Sequence, residues 1–221
     1  MREALAAGAV REMFVTAEAL ERYPDLAADA SEISPKDAAA LSETVTPQGI
    51  VAVCELVQPA TAQILAAGPR LLAVLVEPND PGNLGTIIRT ADAAGADAVV
   101  LDGGVDPYNG KAVRASAGSL FHLPVVACAA EDLLAGTDHI GMTSLAAAAE
   151  GAFDLDTLQD TGALAAPTVW LFGSEAHGLP NSVLESADHT VRIPIHGRAE
   201  SLNVAAAAAV CLYASARAHR L

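Results

Sequence analysis

Short continuous apolar runs recur along the chain from Leu71 onward, separated by stretches whose apolar positions have helical spacing. Continuous runs, unlike alternating ones, are typical of strands that are covered on both faces. The runs that we interpret as strands are Leu71–Val76, Asp97–Leu101, Pro124–Cys128, His139–Ser144, Thr168–Phe172 and Thr190–Ile195. The pattern therefore predicts an α/β fold with a mostly parallel sheet and helices on both sides.

The segment before Leu71 predicts a smaller α/β unit. Its expected elements are a strand at Arg11–Thr16, a helix at Ala17–Tyr23, a helix at Pro35–Ser42 with Ser34 as N-cap, and an apolar strand at Gly49–Leu56. The stretch Val57–Arg70 contains two prolines and is interpreted as a connector, with room for a short helix at Ala62–Ala67. We expect a first domain at 1–58, a linker at 59–70 and a second domain at 71–221.

The composition is that of a globular protein with a strong acidic excess. The 221 residues are 52% hydrophobic and 18% charged, and the formal net charge is −15. Such a charge argues against nonspecific coating of nucleic acid. No N-terminal stretch has the parts of a signal peptide, and no apolar run is long enough to span a bilayer. We therefore expect a cytoplasmic protein with no membrane partner.

The three cysteines give no sign of a shared site. Cys54, Cys128 and Cys211 lie far apart, without CxxC or Cys/His spacing. Neither a disulfide framework nor a zinc site is expected, and we predict no bound metal. Buried, reduced thiols are the simpler interpretation.

A first loop of interest is EPNDPGNLGTIIRTA, residues 77–91, which leaves a predicted strand and enters a helix running to about Ala94. Asn83 is expected at the helix start, where its side chain can cap the helix or orient a ligand. Arg89 is expected to face it from nearly two turns further on. A capped helix with a solvated arginine is the simpler alternative.

A second loop, LFGSEAHGLP at residues 171–180, also follows a predicted strand. Its glycines permit close backbone approach to a ligand. Glu175 supplies a carboxylate at the carboxyl end of the sheet, where open α/β folds bind their ligands.

A third loop, IPIHGRAESLNV at residues 193–204, precedes the last predicted helix, Ala205–Ala218. Ser201 and Asn203 are polar groups near the helix start, and each taken singly is also explained as a plain cap. The helix is almost bare of charge up to Ala214, which predicts burial on most of its surface. Burial that complete suggests packing against a second subunit.

Four stretches together resemble the motifs of the SpoU branch of the SPOUT methyltransferases, in the same order. NLGTIIRTA, LFGSEAHGLP and IPIHGRAESLNVA match that family's pattern nearly position by position. KAVRASAGSLFHLP, residues 111–124, resembles the family's substrate-facing segment between the first two motifs. The resemblance covers roughly residues 71–221, and four motifs in order make it specific.

The first part of the chain is similar, more loosely, to the later part of an L30e-like RNA-binding domain. The match enters mid-domain at EALAAGAVR, residues 3–11. The family's domain usually begins earlier, so either the start is truncated or misassigned, or the domain is incomplete. By analogy, an RNA-capturing domain of this type favours ribosomal over transfer RNA.

The resemblance implies a fold, a cofactor and an assembly. The implied fold is an α/β trefoil-knot domain, in which the C-terminal segment threads through a loop. The implied methyl donor is S-adenosylmethionine, and the implied assembly is a homodimer. The residues that would surround or line the donor are Gly173, Ile193, Leu202, Leu171, Phe172 and Thr143.

The implied reaction is 2′-O-methylation of a ribose in RNA. By resemblance Arg89 is the catalytic arginine, and the residues that position it, the ribose and the flanking phosphate are Asn83, Glu175, Ser201 and Asn203. Arg89 is either a base or a group that stabilises the developing alkoxide and clamps a phosphate. The second role is chemically easier, because a guanidinium is effectively always protonated.

The resemblance also indicates which side chains contact RNA phosphates. The candidates are Arg114, Arg198, Lys111 and His196, with Arg192 as a further one. Lys111 and Arg192 are equally well explained as ordinary solvated charges.

Other function classes fit less well. No GxGxxG follows the strand at Leu71–Val76, which disfavours a nicotinamide-dependent oxidoreductase, and the phosphate loop GxxxxGK[ST] is missing. A noncatalytic RNA-binding module of the same fold is the main alternative. The joint presence of Arg89, Glu175, Ser201 and Asn203 argues against it, because binding alone needs no such set. A housekeeping role and a resistance role on ribosomal RNA are equally compatible with these motifs.

Overall fold

The computed structural model describes residues 1–26, 29–42, 44, 46–56, 58–174 and 176–220. The chain divides into two units, Met1–Val57 and Gln58–Leu221. One residue of the predicted site, Glu175, lies outside the described residues.

The first unit is built on a three-stranded sheet in the order β2-β1-β3, with one parallel and one antiparallel pair. Its strands are β1 (Val10–Val15), β2 (Ser31–Glu32) and β3 (Ile50–Cys54), and its helices are α1 (Arg2–Ala6), α2 (Ala17–Arg22) and α3 (Pro35–Leu41). The predicted N-cap Ser34 is confirmed, because its hydroxyl accepts a hydrogen bond from the backbone N–H of Asp37 at 3.1 Å. The elements α1 and β2 were not predicted.

The second unit contains a seven-stranded sheet in the order β6-β5-β4-β9-β7-β10-β8. The strands are β4 (Leu71–Val76), β5 (Ala98–Asp102), β6 (Val125–Ala127), β7 (Thr143–Ala147), β8 (Phe153–Asp154), β9 (Thr168–Phe172) and β10 (His189–Arg192). All six neighbouring pairs are parallel. The predicted parallel sheet is therefore confirmed.

Helices cover both faces of this sheet. They are α4 (Thr61–Ala66), α5 (Pro81–Ala94), α6 (Gly110–Ala115), α7 (Ala130–His139), α8 (Leu155–Asp160), α9 (Asn181–Ser186) and α10 (Val204–Ala218). Successive side chains of a strand point to opposite faces. Leu71, Ala73 and Leu75 accordingly share one core with α5 and α10, whereas Leu72 and Val74 share another with α7 and α9.

The strand predicted at His139–Ser144 is wrong in its boundaries. Helix α7 continues through His139, Gly141 follows with a φ of +74°, and β7 begins only at Thr143. A glycine in this conformation is a common way to end a helix, and it delays the strand. The carboxyl end of β7 is consequently Ala147, three residues later than predicted.

The last strand is shorter than predicted. The apolar run continues to Ile195, but β10 ends at Arg192, before Pro194. A proline has no backbone N–H and so interrupts the pairing of a strand. The segment between β10 and α10 is thereby free to turn away from the sheet.

The cysteines carry no disulfide. Cys211 is buried, and Cys54 and Cys128 are half-buried free thiols. Burial raises the pKa of the Cys211 thiol well above its ordinary value, so this group stays protonated.

Candidate functional site

A cavity of about 490 Å³ opens at the carboxyl ends of β7, β9 and β10. Its walls come from residues 147–149 after β7, from 172–174 after β9, and from the segment that joins β10 to α10. The volume falls within the range of small-molecule sites. The position is the one where parallel α/β sheets bind their ligands.

The turn after β9 is closed tightly on itself. Ser174 and Gly178 form an isolated antiparallel bridge, and the Gly178 N–H donates to the Ser174 carbonyl at 2.9 Å. A Cβ at Gly173 would lie 2.1 Å from the Gly178 carbonyl carbon and 2.3 Å from the Leu179 nitrogen. Glycine is therefore required at residue 173, and the backbone itself forms this wall of the cavity.

The first and third loops meet through a pair of amides. Asn203 is the N-cap of α10, where its Oδ1 accepts from the Ala205 N–H at 2.9 Å. Its Nδ2 donates to Asn83 Oδ1 at 3.2 Å, across 120 residues of sequence. Asn203 lines the cavity, as does Ser201. Asn83 is thereby held beside the cavity wall.

The cap of α5 is Asp80 rather than Asn83. Its carboxylate accepts from the backbone N–H of Asn83 at 2.8 Å, so Asn83 lies in the first turn of the helix. The Asn83 side chain is thereby left to reach Asn203. The sequence carried the signal, because an aspartate directly before a proline at the first helical position is a common helix start.

Four of the six predicted donor-lining residues lie at the cavity, namely Gly173, Phe172, Ile193 and Leu202. Leu202 and the neighbouring Ile195 are 38% and 39% exposed, which makes them apolar walls open to a ligand. Leu171 is fully buried in the core on the opposite face of the sheet.

Thr143 lies at the other end of β7 from the cavity. It pairs with Thr168, the first residue of β9, whereas Ala147 at the end of the strand lines the cavity. This misplacement follows directly from the strand boundary that was predicted too early. Sequence reasoning therefore missed Ala147, Ala148 and Ala149, although the apolar run LAAAA from Leu145 to Ala149 marked them.

Arg89 lies on the exposed face of α5 and is not among the residues that line the cavity. It follows Asn83 by six residues, which rotates it by about 600°, or 120° away from Asn83, and moves it about 9 Å along the axis. Within a single chain, Arg89 and Asn83 therefore do not face each other. Glu200, a further residue that sequence reasoning missed, does line the cavity.

The candidate RNA-contacting residues fall into two groups. Lys111 and Arg192 are engaged in ion pairs, with Asp80 at 2.7 Å and Asp154 at 3.2 Å respectively. Arg114, His196 and Arg198 are exposed, and the structure gives them no ion-pair partner among the residues that it describes.

Two features are absent from the described part of the chain. It holds no group of three or more His, Cys, Asp or Glu side chains arranged to bind a metal ion. None of its helices has the length and apolar character needed to cross a membrane.

The fold and the cavity define a parallel α/β protein whose site is built from the loops after three strands. Residues 70–213 match the model of the SpoU rRNA methylase family, and the chain belongs to this family. The predicted family is confirmed.

Two curated relatives align with most of the chain. The chain is 40% identical over 178 residues to the 23S rRNA (guanosine(2553)-2′-O)-methyltransferase RlmP of Bacillus subtilis, covering 79% of this chain and 67% of that protein. It is 36% identical over 188 residues to the 23S rRNA (uridine(2479)-2′-O)-methyltransferase of Streptomyces viridochromogenes, covering 77% and 61%. The chain thus spans about two thirds of the length of these curated relatives.

A solved structure extends the likeness to the fold. The methyltransferase AviRb of Streptomyces viridochromogenes, in complex with the cofactor AdoMet, superposes with a TM-score of 0.81 at 32% identity. The superposition covers 98% of this chain and 86% of that chain. The predicted fold class is confirmed as an α/β fold with a large parallel sheet that matches SpoU methyltransferases, whereas the knot and the L30e-like character of the first unit stay predictions.

Proposed function

We propose that this protein transfers a methyl group from S-adenosylmethionine to the 2′-hydroxyl of a ribose in RNA, and that the RNA is ribosomal. The observation that carries the proposal is the convergence of family motifs on one cavity, joined by the Asn203–Asn83 hydrogen bond. The names of the relatives support it, since RlmP and the Streptomyces enzyme are 23S rRNA 2′-O-methyltransferases.

The residues present fit the proposed donor. S-adenosylmethionine supplies a methyl group on a sulfonium, together with an adenine and an amino-acid part. Ile193, Ile195 and Leu202 offer an apolar surface for a planar base. The backbone of the Gly173 turn and the side chain of Ser201 offer hydrogen-bonding groups.

The chain's own side chains must align the ribose and manage its hydroxyl proton. Asn203 is held in place by its bonds to Ala205 and Asn83, so it is preorganised to orient a polar group in the cavity. We assign Arg89 to stabilising the developing alkoxide and a neighbouring phosphate, since a guanidinium rarely gives up its proton. Glu175 is proposed to act with Asn83, Ser201 and Asn203 in positioning Arg89, the ribose and the flanking phosphate.

The assembly is proposed to be a homodimer that uses α5 and α10. Both helices lie on the same face of the sheet, and α10 leaves a stripe exposed that contains Ala206, Val210 and Tyr213. Val210 and Tyr213 are 42% and 52% exposed, which is unusual for an otherwise buried helix. A two-fold axis on this stripe would give a self-complementary interface. Because Arg89 lies on the exposed side of α5, it would act within that assembly.

The RNA contact is proposed to run through Arg114, Arg198 and His196, which are exposed cations or potential cations. The net charge of −15 confines the attraction to such a local patch. RNA affinity should therefore be modest and salt-sensitive, because each neutralised phosphate releases counterions. A cytoplasmic location is part of the same proposal, since the relatives that support a ribosomal RNA substrate come from the bacteria Bacillus subtilis and Streptomyces viridochromogenes, where ribosomes are made in the cytoplasm.

Methyl transfer from radiolabelled S-adenosylmethionine to total ribosomal and transfer RNA, followed by nuclease mapping, tests the proposal. Label in a 2′-O-methylribose of ribosomal RNA is the expected result. Donor binding without label in either RNA would contradict it and favour the noncatalytic RNA-binding module. In the same assay, Arg89→Ala should lose activity while keeping donor affinity, and near-full turnover would remove Arg89 from the mechanism.

A further inference from the structure

Lys111 lies in the first turn of α6, and its ammonium group already has a partner. Its Nζ donates to Asp80 Oδ2 at 2.7 Å, and its backbone N–H donates to Asn109 Oδ1 at 2.9 Å. The chain contains only one other lysine, Lys36, against ten arginines. Arginine can bind a phosphate through two parallel hydrogen bonds, whereas lysine acts as a compact point charge.

Asp80 uses both carboxylate oxygens to join two helices. Oδ2 accepts from Lys111 of α6, and Oδ1 accepts from the backbone N–H of Asn83 in α5 at 2.8 Å. The hydrogen bond from Lys111, followed by that from Asn83, holds the pKa of Asp80 below its ordinary value. Asp80 is therefore charged at neutral pH, which suits a helix N-terminus.

The path continues to the cavity wall. Asn83 accepts through Oδ1 from Asn203 Nδ2 at 3.2 Å, and Asn203 lines the cavity. Three consecutive contacts thus connect Lys111 to the site. Gly82 leaves room for this arrangement, because a Cβ there would lie 2.7 Å from Asp80 Oδ1 and 3.0 Å from Lys111 Cε.

We propose that Lys111 is a positioning residue, which orients Asp80, fixes the first turn of α5 and thereby holds Asn83 against Asn203. This inference rests on the proposed methyl transfer, and it replaces the expectation that Lys111 contacts RNA phosphate. A phosphate would have to compete with a carboxylate 2.7 Å from Nζ. The Lys111 side chain is 56% exposed, so water screens the pair and its effect is modest.

The test compares Lys111→Met, Asp80→Asn and the double variant, using unmethylated ribosomal RNA transcribed in vitro. Asparagine still caps a helix, so Asp80→Asn removes the ion pair but keeps the cap. Each single variant should lower kcat by about two- to fivefold, as expected for an exposed pair. The double variant should be no slower than the worse single variant, because both act on one contact. Lys111→Arg should restore most of the activity.

RNA affinity separates positioning from phosphate contact. In Lys111→Met the slope of log affinity against log salt should stay unchanged, whereas Arg114→Gln should reduce its magnitude by about 0.7 to 0.9. Lys36→Met, which removes the same charge from an exposed position in the first unit, is the matched control for kcat at saturating RNA, because the first unit is predicted to capture RNA and not to take part in methyl transfer. A weaker RNA affinity and a lower slope in Lys111→Met, with neither in Asp80→Asn, would overturn the proposal.

A readout without catalysis keeps this proposal distinct from the proposed function. If the wild-type protein transfers no methyl group, the proposed function fails by itself. The side-chain amide signals of Asn83 and Asn203 in an NMR spectrum should still shift in Lys111→Met and in Asp80→Asn, but not in Lys36→Met. Unmoved amide signals in the first two variants would overturn the positioning role whatever the enzyme does.

Discussion

The large sheet has an amino edge, where its parallel strands begin, and a carboxyl edge, where they end. The two edges use similar polar side chains for different purposes. At the amino edge, Asp97 accepts from the backbone N–H groups of Arg70 and Leu71 at 2.7 and 3.0 Å. Asp188 accepts from both the N–H and the hydroxyl of Ser144 at 2.8 and 2.7 Å, and its own N–H donates back to that hydroxyl at 2.9 Å. At the carboxyl edge, the corresponding polar groups border an open cavity.

The two edges differ in the hydrogen-bonding groups that remain available after the local hydrogen bonds are made. The carboxylates of the amino edge accept hydrogen bonds from backbone and side-chain groups at the starts of strands, so they hold the sheet together. Asn203 at the carboxyl edge makes two bonds and keeps a second amide proton, which can orient a ligand. Substitutions at the amino edge should therefore cost stability, whereas those at the carboxyl edge should cost binding and turnover.

The largest expected effect is that of Gly173→Ala at the carboxyl edge. The added Cβ would lie within 2.3 Å of backbone atoms of Gly178 and Leu179, so the turn has to open. Overpacking of this kind costs about 1–3 kcal/mol, and here the cost falls on the cavity wall. We expect S-adenosylmethionine affinity, measured by titration calorimetry, to fall at least about tenfold.

Gly197→Ala is the matched control for that experiment. Gly197 lies between β10 and α10, and a Cβ there would meet no atom within 4 Å. Its donor affinity should equal that of the wild-type protein. Equal losses in both variants would mean that any extra methyl group near these loops perturbs binding, and the special role of the Gly173 turn would be lost.

Asp188→Asn at the amino edge should lower stability and spare activity. The substitution weakens two hydrogen bonds to a charged acceptor, each worth about 1.5–3 kcal/mol when buried, and solvent exposure reduces the total to about 1 kcal/mol. Urea denaturation should detect this loss in the free energy of unfolding. Methyl transfer per folded molecule should stay the same, and a selective loss of turnover would break the division between the edges.

The pH dependence of the Asp188 effect has a definite sign. Desolvation raises the pKa of Asp188, but the bonds from the N–H and hydroxyl of Ser144 outweigh it, so the pKa lies below its ordinary value. A lowered pKa in the folded state stabilises the protein above the pKa of the unfolded state, and this contribution disappears as the pH falls through the folded value. The stability difference between wild-type and Asp188→Asn should therefore be full at pH 7 and shrink in acid.

The fold was predictable because its signal is local. A continuous apolar run such as Leu71–Val76 is enough to indicate a strand that is covered on both faces. Six such runs sufficed to predict a parallel sheet. The start of β7 was not predictable in the same way, because apolar residues on both sides of Gly141 continue the run and only the backbone conformation separates helix from strand.

The site was predictable as a set of residues but not as an arrangement. The motifs contained Asn83 and Asn203, whereas their hydrogen bond across 120 residues depends on how α5 and α10 pack. Leu171 and Phe172 are adjacent in one motif, yet the pleat sends only Phe172 to the cavity. Helical rotation separates Arg89 from Asn83 in the same manner, and a linear motif records neither effect.

The smallest expected effect tests the corrected end of β7. Ala147→Val adds two methyl groups to the cavity wall, whereas Thr143→Val changes the amino end of the same strand to a side chain of similar volume. The strand keeps a β-branched residue comfortably, so neither variant should unfold the protein. Ala147→Val should weaken S-adenosylmethionine binding by about three- to fivefold through partial overlap with the ligand. Thr143→Val should leave S-adenosylmethionine binding unchanged. If Thr143→Val weakened the binding and Ala147→Val did not, Thr143 would be a donor-lining residue and the donor would not bind in the cavity at the carboxyl end of β7.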